Sequence, residues 1–65
     1  MKYKEGDKVK ITYEAFHKVF GKDAVWVIDH IKTQAHKGTA SLYVCYRESD
    51  KHKTLYQFHE NEVTQ

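Results

Sequence analysis

Asp7-Lys8-Val9-Lys10-Ile11-Thr12-Tyr13 alternates without a break, with Val9, Ile11 and Tyr13 on one side and Lys8, Lys10 and Thr12 on the other. Successive Cβ atoms of a pleated strand point to opposite faces, so a repeat of two predicts a half-buried β-strand with a cationic outer side. Gly6 precedes it, and the alternation fails at Glu14. In Glu14–Phe20 the apolar residues Phe16, Val19 and Phe20 take the i, i+3, i+4 spacing of one helical face. Seven residues do not make an independently stable helix, so the segment is expected to plug the core from within a long loop and to end at Gly21.

Ala24-Val25-Trp26-Val27-Ile28-Asp29-His30-Ile31 is a β-branched run, too apolar for an edge and too short to span a membrane. It predicts a central strand. Val25 and Val27 define one face and Trp26 and Ile28 the other, and then both faces turn polar at Asp29-His30; a bulge there returns Ile31 to the core. A polar loop around Gly38 (Gln34–Thr39) leads to Ser41–Arg47, where Leu42, Val44 and Tyr46 alternate with Tyr43, Cys45 and Arg47. A charged turn, Glu48–Lys53, joins this strand to Thr54–Phe58 as a hairpin with Tyr56 and Phe58 on one face. The remainder suits a 3₁₀ turn and a last strand residue at Val63.

The stretch Glu5-Gly6-Asp7-Lys8-Val9-Lys10-Ile11, the long first loop, Val25-Trp26-Val27-Ile28, the Tyr43–Phe58 hairpin and the closing Phe58-His59-Glu60-Asn61-Glu62-Val63 together resemble an SH3-like β-barrel. Small proteins of Gram-positive bacteria and their phages and prophages share such features. The resemblance covers nearly the whole chain and implies an all-β fold: a single domain, 1–65, of about five antiparallel strands closed as a barrel. The Ala-Leu-Tyr-Asp-Tyr stretch and paired Trp of proline-binding SH3 domains are absent, so the resemblance implies a fold and not that ligand.

Size and charge bound the function. The chain has 65 residues, and one this short buries only about 60% of its unfolded surface, which leaves room for one core. Cys45 is its only cysteine, so neither an internal disulfide nor a cysteine-based zinc site can form. Eleven Lys and Arg stand against nine Asp and Glu, a net charge of +2, which permits nucleic acid without implying it. The first residues lack the apolar stretch of a signal peptide, and no run of 18 apolar residues occurs, so a cytoplasmic protein with no membrane association is expected.

No constellation for catalysis stands out. His17, His30, His36, His52 and His59 share no i, i+2 or i, i+4 spacing that would aim two rings at one ion, and they read as scattered surface residues. Cys45 reads as a small packing residue, Glu60 and Glu62 as solvated carboxylates, and so small a barrel as having little room for a cleft of roughly 300 Å³. The chain is therefore expected to be a non-catalytic binding module with no cofactor, metal or small-molecule substrate. A protein partner is expected ahead of nucleic acid. If Val25 and Val27 face the core, then Trp26 and Ile28, with Tyr43, form an exposed apolar docking patch; if the strand is covered, they are core. The nucleic-acid alternative uses Lys8 and Lys10 of the first strand and Lys51 and Lys53 of the hairpin turn, with interleaved Glu5, Asp7, Glu48 and Asp50 weakening their field.

Overall fold

The computed structural model describes residues 3–33 and 41–65; the loop expected at Gln34–Thr39, with His36, lies outside them. Strand β1 (Lys8–Ile11) is followed by helix α1 (Glu14–Phe20), β2 (Trp26–Thr33), β3 (Ser41–Arg47), β4 (Tyr56–His59), a 3₁₀ turn (Glu60–Glu62) and β5 (Val63–Thr64). The strands form one antiparallel sheet in the order β4-β3-β2-β1-β5. The expected closure into a barrel is not made by backbone pairing, because β4 and β5 are the two ends of that order. β1 divides its partners: Lys8 and Val9 pair with Val27 and Trp26, whereas Lys10 and Ile11 pair with Thr64 and Val63.

One face of the sheet carries the core. Val9, Ile11, Trp26, Ile28, Tyr43, Cys45, Phe58 and Val63 are all buried there, together with Tyr3. Helix α1 lies against this face, and two of its rings, Phe16 and Phe20, pack on the core. The Phe16 ring centroid is 5.2 Å from that of Phe58, 5.5 Å from Tyr56 and 5.9 Å from Trp26, each close to edge-on. Phe20 meets Trp26 at 5.5 Å, also edge-on. Edge-to-face pairs add about 0.5–1.5 kcal/mol each beyond the area they bury, which helps to explain how seven residues remain helical.

Two details of the expected pattern change. Val19 does not join Phe16 and Phe20; it is 72% exposed. The helix is rotated so that His17 faces inward, its Nε2 donating to the Ile11 carbonyl, and that rotation carries Val19 out to solvent. Tyr13 leaves the β1 alternation to become the residue before the helix and is half exposed. Gly21 ends the helix as expected: its φ is 97°, and its N–H donates to the His17 carbonyl at 2.9 Å.

The bulge in β2 is present. Ile28 pairs with Cys45 and His30 with Val44, so Asp29 is the extra residue, and Ile31 returns to pair with Tyr43 and pack on the core. At the far edge, the N–H of His59, the last β4 residue paired with β3, donates to the Glu62 carboxylate at 2.7 Å.

Candidate functional site

The expected docking patch is corrected by the burial pattern: Trp26 is 2% exposed, Ile28 1% and Tyr43 0%. All three lie in the core: Phe16 and Phe20 of α1 meet Trp26, and Tyr3 meets Tyr43 edge-on at 5.6 Å. Of the two alternatives for this strand, Trp26 and Ile28 take the inner face, and Val25 and Val27 lie on the other, each only half-buried.

The register fixes what that outer face presents. Lys8 lies beside Val27, and Val27 beside Tyr46; past the bulge, His30 lies beside Val44 and Val44 beside Gln57; then Lys32 beside Leu42 and Leu42 beside His59. The middle of the face is an aliphatic strip with one aromatic ring, its central Val44 itself buried, and basic residues flank it. Tyr46 is half-buried, and the Lys53 ammonium stands 5.3 Å from its ring centroid. The strand alternation could not single out Tyr46, since both sides of β3 are apolar and only the position of α1 decides which is inner.

The four lysines named from the sequence divide. Lys8 is bound to Glu48 at 2.7 Å, and that hydrogen bond and charge raise its pKa. Lys53 lies over Tyr46, at the left-handed φ of 50° that the hairpin turn requires. Lys10 and Lys51 are exposed and make no ion pair among the described residues. Two of the acids expected to weaken this field are engaged locally. Asp50 accepts the N–H groups of His52 and Thr54 at 3.0 and 3.1 Å, which holds its carboxyl below the usual range, and Asp7 accepts the Lys4 N–H at 3.1 Å.

The bulge also brings together a pair that strand alternation separates. His30 Nδ1 donates to the Asp29 carboxylate at 2.7 Å, because the extra residue suspends the two-residue repeat at that point. No group of three His, Cys, Asp or Glu positioned to hold a metal ion occurs among the described residues. Cys45 is buried, and burial pushes its thiol up to about 12, so the thiolate needed for nucleophilic chemistry is suppressed at neutral pH. The surface has more relief than its size suggested: a hollow of about 440 Å³ adjoins Tyr3, Lys4, Glu5, Ile31 and Thr33. A second, of about 280 Å³, opens where β1 and β5 meet the turn after α1.

No protein-family profile, curated protein or solved structure matches the chain. No helix among the described residues is long and apolar enough to cross a membrane.

Proposed function

We propose that the chain is a non-catalytic binding module of SH3-like build, working in the cytoplasm, and that a single-stranded nucleic acid lies across the outer face of its sheet. The meander β1 to β4, with β5 returning beside β1 after a 3₁₀ turn, supports the SH3-like resemblance. The observation that carries the ligand is Tyr46, a half-buried ring with the Lys53 ammonium over it on the face that Lys8 and Lys10 share, after the apolar residues suited to a protein interface proved to be core. Base stacking on an aromatic contributes about 1–3 kcal/mol. An exposed cation–π contact contributes about 0.5–1. A base can therefore replace the Lys53 ammonium over Tyr46, releasing it to a phosphate.

Fluorescence anisotropy with a labelled twelve-nucleotide dT strand tests this reading. Three phosphate contacts, from Lys10, Lys51 and Lys53, imply a log–log salt slope of about −2. Absence of binding at low salt, or a flat slope, refutes the nucleic-acid reading and returns a protein partner to first place.

A further inference from the structure

The second half of β2 has one free side. β1 covers only the beginning of the strand: Lys8 and Val9 pair with Val27 and Trp26, and Ile28 completes the contact by donating its N–H to the Asp7 carbonyl at 3.0 Å and accepting the Gly6 N–H at 2.8 Å. β2 then runs on to Thr33 with β3 beside it. The ladder fixes where its backbone points. Because the His59 N–H turns away from β3 to Glu62, His59 and Leu42 are a non-bonded pair, and the backbone groups of Leu42 are directed at Lys32. Lys32 therefore bonds β3, and its neighbours Ile31 and Thr33 direct their N–H and C=O groups to the free side. The Asp29 bulge is responsible, since without the extra residue the period that begins at Ile28 would turn Lys32 to that side instead. No backbone bond reaches Ile31 or Thr33 from the free side among the described residues.

The chain's own N-terminal stretch passes nearby without pairing, because Lys4 is tied into a turn: its N–H donates to the Asp7 carboxylate and its C=O accepts the Asp7 N–H, both at 3.1 Å. The hollow of about 440 Å³ bordered by Tyr3, Lys4, Glu5, Ile31 and Thr33 lies in that gap. Two N–H and two C=O groups that alternate along a margin are the complement of an extended backbone. Side chains then select the sequence. Ile31 packs on the core, so an apolar residue paired with it continues the inner face. The adjoining residue falls on the outer face against Lys32, which is exposed and makes no ion pair among the described residues, so a carboxylate suits that position. A second copy of the chain fits poorly, because the two-fold pairing that engages both Ile31 and Thr33 sets Lys32 opposite Lys32.

We infer that this free margin of β2 takes up an extended segment of another protein as a further antiparallel strand, with an apolar residue opposite Ile31 and an acidic one opposite Lys32. The site lies at a sheet margin and is independent of nucleic-acid binding on the outer face.

Amide exchange and chemical shifts test the site with the peptide acetyl-Gly-Thr-Glu-Val-Gly-amide, whose valine, glutamate and threonine face Ile31, Lys32 and Thr33 in the antiparallel register. In the free protein the N–H groups of Ile31 and Thr33 should exchange faster than that of Lys32 between them, and the peptide should slow both and shift them saturably. Methylating the backbone nitrogen of the peptide's valine removes the donor to the Ile31 carbonyl and should weaken binding about two- to tenfold. A peptide with lysine in place of glutamate should bind about three- to tenfold more weakly, and Lys32→Glu should reverse that preference, a change of sign that loss of structure does not produce. Slow exchange at Ile31 and Thr33 in the free protein, shifts there that grow with protein concentration alone, or no saturable shifts with the peptide overturns the inference. Binding indifferent either to the valine N-methyl group or to Lys32→Glu overturns it equally.

Discussion

Trp26 and Tyr46 are aromatic residues on neighbouring strands near the middle of the same sheet, yet one is sealed and the other accessible. Trp26 projects toward α1, where Phe16 and Phe20 meet it edge-on. Tyr46 projects the other way, beside Val27, with a lysine over its ring. Apolar character does not separate the two faces, since valine, leucine and tyrosine populate the outer one. The separation comes from the side on which a two-turn helix packs, which commits the inner face to cohesion and leaves the outer one without a helix over it among the described residues.

The contrast is broken most severely at Trp26. Truncating a buried tryptophan leaves a cavity and costs about 3–5 kcal/mol, so Trp26→Ala should unfold much of the population, as read by denaturant titration. A mild loss would show that the inner face is not the core. Tyr46→Ala should have the opposite profile, with binding to the dT strand falling about tenfold while the unfolding midpoint moves little, consistent with one lost stack. Equal damage to binding and stability would erase the distinction between the faces.

Cys45 sharpens the comparison through pH. The unfolded thiol ionises near 8.5–9, whereas burial in the fold raises that value to about 12. Over that interval the unfolded chain loses a proton that the folded chain keeps, so stability is intact below about pH 9 and falls as pH rises toward 12. The fall should be shallower in Cys45→Ala, and thiol alkylation of the folded protein should stay slow at pH 8. The smallest effect is expected at Arg47, which closes the open end of the aromatic cluster. Its guanidinium lies 4.8 Å from the Phe20 centroid and bonds Ser49, while its Nε is buried without a partner among the described residues. Arg47→Met forgoes a cation–π contact of about 0.5–1 kcal/mol and removes an unmet donor that costs about 1–3. The melting temperature should hold or rise slightly.

The elements of this fold are legible in the sequence where a period persists and neighbours agree. Val9 and Ile11 mark β1, the Phe16–Phe20 spacing marks α1, and Tyr56 with Phe58 marks β4. Even the β2 bulge can be read, because two polar residues interrupt an apolar run and Ile31 follows. The face of β2 and β3 that turns inward cannot be read, because both strands are apolar on both sides and the decision belongs to a helix packed from elsewhere. That ambiguity left the burial of Trp26, Ile28 and Tyr43 open and gave Tyr46 no distinguishing mark. The Asp29–His30 pair escaped for a related reason, since the bulge that joins them suspends the rule that keeps them apart.

The bond from the His59 N–H to the Glu62 carboxylate has a colloidal consequence. The backbone donors of β4 alternate in direction, so on its outward margin Gln57 and His59 are the residues able to offer an N–H to a strand from another molecule. Glu62 occupies one of these and sets a negative charge beside it, leaving Gln57 alone as a foothold. In a sheet whose ends do not meet, one of its two margins is in this way guarded against pairing with another molecule by one of the chain's own acids.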